Sequence, residues 1–288
     1  MIQYRYDKKI NLGINTFGLA KLLHGDFDGT LRKLRDLGYS SIEPLIFFDK
    51  HISRPCAAFK RLDLRIWKLD GGIWSYTVNA EKRIAAARAM GFAVPSVQVF
   101  GDLGSFLTLG LDSTISFLKE SAVKHLVVSP MKRSFDDAAS LCPLLADASE
   151  KLFANGLSLV LHTHEHEFIC NERGTTQLEL YLSAAPHLML ELDVGWALFA
   201  GKDPVRIITK MHDRITLLHL KDIKLGALRN SCFTAIGKGD LPLKDILSAS
   251  TLLARLDENG IIVDQDKSSG DLMHDLAFCS KNILSLSK

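Results

Sequence analysis

The feature that most constrains this chain is alternation. Eight short apolar runs each lead into a stretch with helical spacing: 10–17 (INLGINTF), 39–46 (YSSIEPLI), 93–101 (AVPSVQVFG), 124–130 (KHLVVSP), 157–164 (LSLVLHTH), 188–195 (LMLELDVG), 215–222 (ITLLHLKD) and 261–266 (IIVDQD). The runs lack clean polar alternation, as strands buried on both faces do. Between them lie segments such as GTLRKLRDLG, closed by Gly38, and a long one over about 135–155, closed by Gly156. Strand–helix alternation implies a parallel sheet with right-handed crossovers. Eight such units in 288 residues predict a single (β/α)8 TIM barrel, an α/β fold. A doubly wound open sheet is the alternative. No GxGxxG follows the first strand and no GxxxxGK[ST] occurs, which weakens nucleotide-binding forms of it. The expected organisation is one domain over 1–288, with a strand-to-helix insertion at about 47–78 that holds Trp67 and Trp74 and covers the active end.

Charge narrows the partners. The 35 basic and 33 acidic residues are interspersed and leave a net charge of +2, so no basic stripe invites nucleic acid or an anionic membrane. No apolar stretch is long and uninterrupted enough to span a bilayer. The first residues, MIQYRYDKKINLG, carry charges where a signal peptide needs an apolar run. Cys56, Cys142, Cys170, Cys232 and Cys279 are scattered, odd in number and form no CxxC pair, which fits reduced thiols. Together these features predict a cytoplasmic enzyme. A homo-oligomer stays open.

In a barrel the reactive groups sit where strands end. Four runs here end in ionisable pairs spaced i, i+2, so both members of a pair share a face: His162 and His164, Glu191 and Asp193, His219 and Lys221, Asp264 and Asp266. Glu43 ends the second run. Buried carboxylates must be paired, protonated or bound to metal. Taking one group from each of the last four strands gives His162, Asp193, His219 and Asp264. This mixed histidine–carboxylate set suits one divalent ion such as Mn, Zn, Co or Fe, with Mg favoured by carboxylates alone. Structural roles compete with this reading. Asp193 is equally suited to cap the next helix, Lys221 to pair with Asp222, and any one histidine to sit hydrogen-bonded in a core.

Several segments together resemble the sugar phosphate isomerase/epimerase superfamily, the xylose isomerase-like TIM barrels. The carriers are LGINTFG, GYSSIEP, GFAVPSVQV, GLSLVLHTHEHEF, LELDVGWALFAGKDP, RITLLHLKD, IGKGDLPLKDIL and GIIVDQD, in that order from residue 10 to the end. The resemblance implies a metal-dependent barrel acting on a sugar, keto-sugar or polyol, with ligands at His162, Asp193, His219 and Asp264. Two positions depart from the family pattern. His162 stands where many members have glutamate, within HTHEHEF where a subgroup has HNHxxEF. Asp264 stands in DQD where EQD is common, and is one methylene shorter.

Family members that epimerise ketoses use both of those glutamates as acid and base, so a symmetric two-base epimerisation is in doubt here. The expected reaction is proton abstraction next to a carbonyl, as in isomerisation or epimerisation. Glu167, Asp264 and His164 are the catalytic candidates; Glu43, Trp196, Lys221 and Asp266 are the candidate substrate contacts. Dehydration of a keto-polyol at the same site, or a catalytically impaired sugar-binding barrel, are the alternatives. A zinc-dependent DNA-repair endonuclease, which shares the superfamily, is disfavoured by the near-neutral charge.

Overall fold

The computed structural model describes residues 9–48, 71–131, 134–268 and 270–286. A ten-stranded parallel sheet curls through it. In chain order the strands are β1 (Leu12–Asn15), β2 (Tyr39–Glu43), β3 (Leu45–Phe47), β4 (Ile73–Ser75), β5 (Ser96–Val99), β6 (His125–Val128), β7 (Ser158–His162), β8 (Met189–Asp193), β9 (Ile215–Leu220) and, after a small hairpin, β12 (Ile261–Val263). Their order across the sheet is β2-β1-β12-β9-β8-β7-β6-β5-β3-β4. The hairpin is antiparallel, β10 (Asp222–Ile223) against β11 (Phe233–Thr234).

β2, at one end of that order, and β3, next to the other end, are joined by one stretch of chain. β2 and β3 are separated only by Pro44. β2 pairs with β1 on one flank, while on the other the N–H of Ile42 donates to the carbonyl of Ala93 at 2.9 Å. β3 pairs with β5, and the N–H of Gln98 donates to the carbonyl of Pro44 at 2.9 Å. Proline has no N–H to give the ladder, which accounts for the break. Leu45 instead donates its N–H to the hydroxyl of Thr16, at 3.2 Å. β4 lies on the flank of β3 away from β5. It falls in the stretch expected to be an irregular insertion, whose residues 49–70 lie outside those described.

Helices cover the outside. The longest among the described residues, Phe135–Ala154, starts at Ser134, whose hydroxyl accepts the N–H of Asp137 at 3.1 Å. No helix among the described residues is long and apolar enough to cross a membrane. The outward side chains of the strands, including Leu159, Leu161, Leu190, Leu192, Leu218 and Leu220, are fully buried against these helices. Each contributes about 1.5–3 kcal/mol by leaving water.

The inward side chains form layers. Val127, Val160, Met189, Leu217 and Ile262 make a separate apolar cluster from five strands. Two residues further along four of these strands stand His162, Glu191, His219 and Asp264; two further again stand His164, Asp193, Lys221 and Asp266. The period of two in a strand thus stacks an apolar plug, then a first polar layer, then a second toward the strands' C-terminal ends. Gly195 follows this wall, where a Cβ would meet the Lys221 carbonyl oxygen at 2.5 Å. Only glycine permits that approach of the helix Val194–Phe199 to β9.

Candidate metal centre

His162, Asp193, His219 and Asp264 are all buried, and each offers a ligand atom within 4.8 Å of the others. They come from the ends of β7, β8 and β9 and the residue after β12. Beneath them sits a carboxylate support. Glu191 accepts from Nδ1 of His162 at 2.7 Å and lies 3.1 Å from Nε2 of His219. Glu43 accepts from the same Nε2 at 2.9 Å. These contacts leave Nε2 of His162 and Nδ1 of His219 facing the centre. Carboxylates behind ligand histidines fix the tautomer and ring orientation.

Glu43, expected at a substrate contact, lies in this lower layer. It is fully buried, and its oxygens also accept from Asn15 Nδ2 at 2.9 Å and Ser96 Oγ at 2.5 Å. Asp193 divides its two oxygens. Oδ1 accepts the N–H of Trp196 at 2.8 Å and caps the helix Val194–Phe199; Oδ2 has no hydrogen-bond partner and lies 3.5 Å from Lys221. The capping role and the ligand role are therefore compatible. Thr163 accepts the N–H of Asp193 at 3.0 Å and ties β7 to β8.

Lys221 is the buried cation of the mouth. Its Nζ lies 2.7 Å from both Asp264 and Asp266. It does not pair with Asp222, whose carboxylate accepts N–H groups of Ile223, Gly237, Gly239 and Leu241 and so folds the loop after β9. Trp196 is buried under this ammonium, 5.2 Å from ring centroid to Nζ, and forms an apolar wall with His164 and Phe233. Arg229 lies over the same ring at 4.5 Å and holds Glu165 with two nitrogens. Lys238 and Asp240 are turned elsewhere, to Asp275 and to the N–H of Leu225.

Burial, with the charge of His219, holds His162 well below its ordinary value, so it presents the neutral form that ligates metals. Burial pushes Asp193 up to about 7 against the pull of Lys221. Asp264 is held well below the usual carboxylate range: burial opposes this, but Lys221 and His219 outweigh it. Burial, then the charge of Glu43, raises Glu191 well above that range. The donor set fits a divalent ion on chemistry, on separation and on the unpartnered, buried Oδ2 of Asp193 and Nδ1 of His219.

Three further expected residues surround this centre. His164 stands edge-on to His162, ring centroids 4.7 Å apart. Asp266 is the more open carboxylate, 21% exposed. Glu167 is fully buried in the short turn after β7, where it accepts the N–H of His164 at 2.7 Å. Sequence reasoning left Glu191 unassigned and did not find the Arg229–Glu165 pair. The i, i+2 spacing from Asp193 was the signal for Glu191; nothing local marks an ion pair 64 residues apart.

No protein-family model matches the chain. Among curated proteins it is 24% identical over 216 residues to the rhizopine catabolism protein MocC of Rhizobium meliloti, covering 75% of this chain and 62% of that protein. It is 26% identical over 142 residues to an inosose dehydratase of Bacillus thuringiensis (strain Al Hakam), covering 44% and 46%. The matched stretches thus span about half to three-fifths of these relatives' own lengths. Among solved structures, a sugar phosphate isomerase/epimerase from Parabacteroides distasonis ATCC 8503 superposes with a TM-score of 0.72 at 21% identity, covering 98% of this chain and 96% of that one. An L-ribulose 3-epimerase gives 0.64 at 15% identity, with 96% and 94% covered. The IOLI protein with a bound zinc atom gives 0.61 at 14%, with 96% and 95% covered. The chain has the fold of the sugar phosphate isomerase/epimerase, xylose isomerase-like TIM-barrel proteins.

Proposed function

We propose that this chain is a metal-dependent enzyme of the isomerase/epimerase type, acting on a sugar, keto-sugar or polyol by proton abstraction next to a carbonyl. We read it as a single-domain (β/α)8 barrel, with β2 and β3 as one strand interrupted at Pro44 and β4 as an addition at the rim. The observation that carries the reading is the four-residue cluster, His162, Asp193, His219 and Asp264, buried at the strand ends with ligand atoms within 4.8 Å. The zinc in the IOLI structure supports the same kind of site.

A divalent cation held by these four residues would polarise a substrate carbonyl and acidify the neighbouring C–H. The side chains around it have distinct roles. Asp266 is the proton acceptor: it is the partly exposed carboxylate of the mouth, and burial, with the charge of Asp264, raises its proton affinity. Lys221 holds Asp266 at 2.7 Å and fixes its direction. Trp196 gives the sugar an apolar floor, and His164 borders the substrate space as a neutral imidazole, since burial and the charge of His166 hold it well below its ordinary value. Asp264 acts as a ligand only, engaged by Lys221 and His219. Glu167 and Glu43 act from behind, through the turn and through His219.

Dehydration is the second reading, favoured by the inosose dehydratases among the relatives. The same proton removal leads there if a hydroxyl leaves from the adjacent carbon. The purified chain should hold a divalent metal that His219→Ala and Asp193→Ala remove. Incubation with keto-inositols and ketoses, followed by NMR, separates loss of water from inversion. A wild-type chain that takes up no metal at micromolar concentration ends both readings.

A further inference from the structure

The short turn Glu165–Phe168 after β7 gathers a second set of ligand atoms that the four-residue centre does not use. His164, His166 and Glu167 each offer one atom, and these lie within 4.8 Å of one another. His166 is 8% exposed and Glu167 is fully buried. Nδ1 of His164, Nε2 of His166 and Oε1 of Glu167 are all buried without a hydrogen-bond partner. The last two approach to 2.9 Å, but without the alignment a hydrogen bond needs. A fourth such atom is the hydroxyl of Tyr181, on the helix Gln177–Ala184 that packs on this turn. Burial, then the charge of Glu167, raises the Tyr181 hydroxyl above its ordinary value.

An unpartnered buried polar group is costly, and native proteins rarely keep one without an ion or water to satisfy it. Several in one place, two of them imidazole nitrogens and one a carboxylate oxygen, share one need: a small cation. The turn is already set for it. The second oxygen of Glu167 accepts the N–H of His164 at 2.7 Å, which holds Oε1 in place. The rings of His164 and His166 lie nearly parallel, 15° apart with centroids 5.6 Å from one another.

We propose that His164, His166 and Glu167 form a second divalent-cation site, of the two-histidine, one-carboxylate kind, beside the first. That donor set selects zinc, cobalt or nickel over magnesium or calcium. The sites adjoin through His162 and His164. Asp193, Asp264 and Asp266 face one buried lysine, Lys221, and Glu167 lies in the turn beside His166, so this end has negative charge to balance added cations. This site has its own ligands and does not require the first.

The test is metal stoichiometry. The full chain is stripped with a chelator, reloaded with Zn2+, desalted and assayed for zinc per chain by mass spectrometry. Wild type should hold two ions, His166→Ala one, Glu167→Gln one, His219→Ala one, and the double variant His166→Ala/His219→Ala none. Glu167→Gln keeps the shape of the turn, so the comparison survives if His166→Ala does not fold. A single wild-type ion lost with His219→Ala but kept in His166→Ala and Glu167→Gln overturns the second site and leaves the first. A single ion lost in His166→Ala and Glu167→Gln but kept in His219→Ala supports the second site and removes the first. Wild-type stoichiometry in both turn variants, whatever its value, also overturns the second site.

Discussion

Glu191 is one carboxylate behind two histidines, and replacing it with glutamine tests the support directly. The side chain is fully buried, so Gln keeps its volume and its place. A cation above the two histidines would favour the ionised form of Glu191, and against that form what changes in glutamine is the number of acceptors. Glu191 offers one oxygen to Nδ1 of His162 at 2.7 Å and another 3.1 Å from Nε2 of His219. Gln has one oxygen and one NH2, so one imidazole must face a donor. His219 still has Glu43 at 2.9 Å, so the amide oxygen turns to His162 and the NH2 opposes Nε2–H of His219. Loss of one partner behind a ligand histidine lowers metal affinity about 10–100-fold, or about 1.4–2.7 kcal/mol. Since His162 keeps the amide oxygen and His219 keeps Glu43, the lower half of that range is expected. Isothermal titration with Zn2+ in the His166→Ala background isolates the four-residue centre, and circular dichroism checks that the chain is folded. A Glu191→Gln chain that binds zinc within about threefold of its parent refutes the reasoning, since no orienting contact would then have been lost.

Two further outcomes follow from the fold. Asp257 pairs with His125 at 3.2 Å; burial works against its charge, but the hydrogen bonds from His125 and the Asn259 N–H keep its carboxyl below the ordinary value. A lowered carboxyl stabilises the fold above its unfolded value of about 3.9 and loses that contribution as pH falls through the folded value. Asp257→Asn should therefore lower stability at neutral pH by about 1–3 kcal/mol, with the gap closing below about pH 3; urea unfolding across pH checks it, and a gap that persists in acid refutes it. Gly195→Ala should cost about 1–3 kcal/mol by forcing a Cβ onto the Lys221 backbone; equal urea midpoints for variant and parent would show that the strand gives way freely.

Much of this architecture is legible from the chain alone, for physical reasons. The eight apolar runs each contain observed strand, because residues buried on both sides must be apolar outward and are confined inward. The four ligand candidates could be singled out because strand period and strand ends are local properties, and the fold does bring their side chains together. What sequence missed is set by distance across the sheet. Glu43 ends a strand as Asp193 does, yet its partners are Asn15, Ser96 and His219, from other strands, which place it below the centre. Lys221 beside Asp222 looks like an ion pair, but alternation sends them to opposite sides, one to Asp264 and Asp266 and the other to the loop at Gly237–Gly239. β4 was hidden because, among the described residues, its ladder partner is β3 alone, and three residues, IWS, are too short a run to mark a strand.

The stacked inward layers bear on how such a protein can change over generations. Along β7, β8 and β9, even and odd positions carry separate messages: Leu161, Leu192 and Leu220 speak to the helices outside, while His162, Asp193 and Lys221 speak to whatever enters the mouth. The plug of Val127, Val160, Met189, Leu217 and Ile262 lies below the polar layers on the same curled sheet. Mutation in the uppermost layer can therefore explore new chemistry while the scaffold's inheritance stays intact.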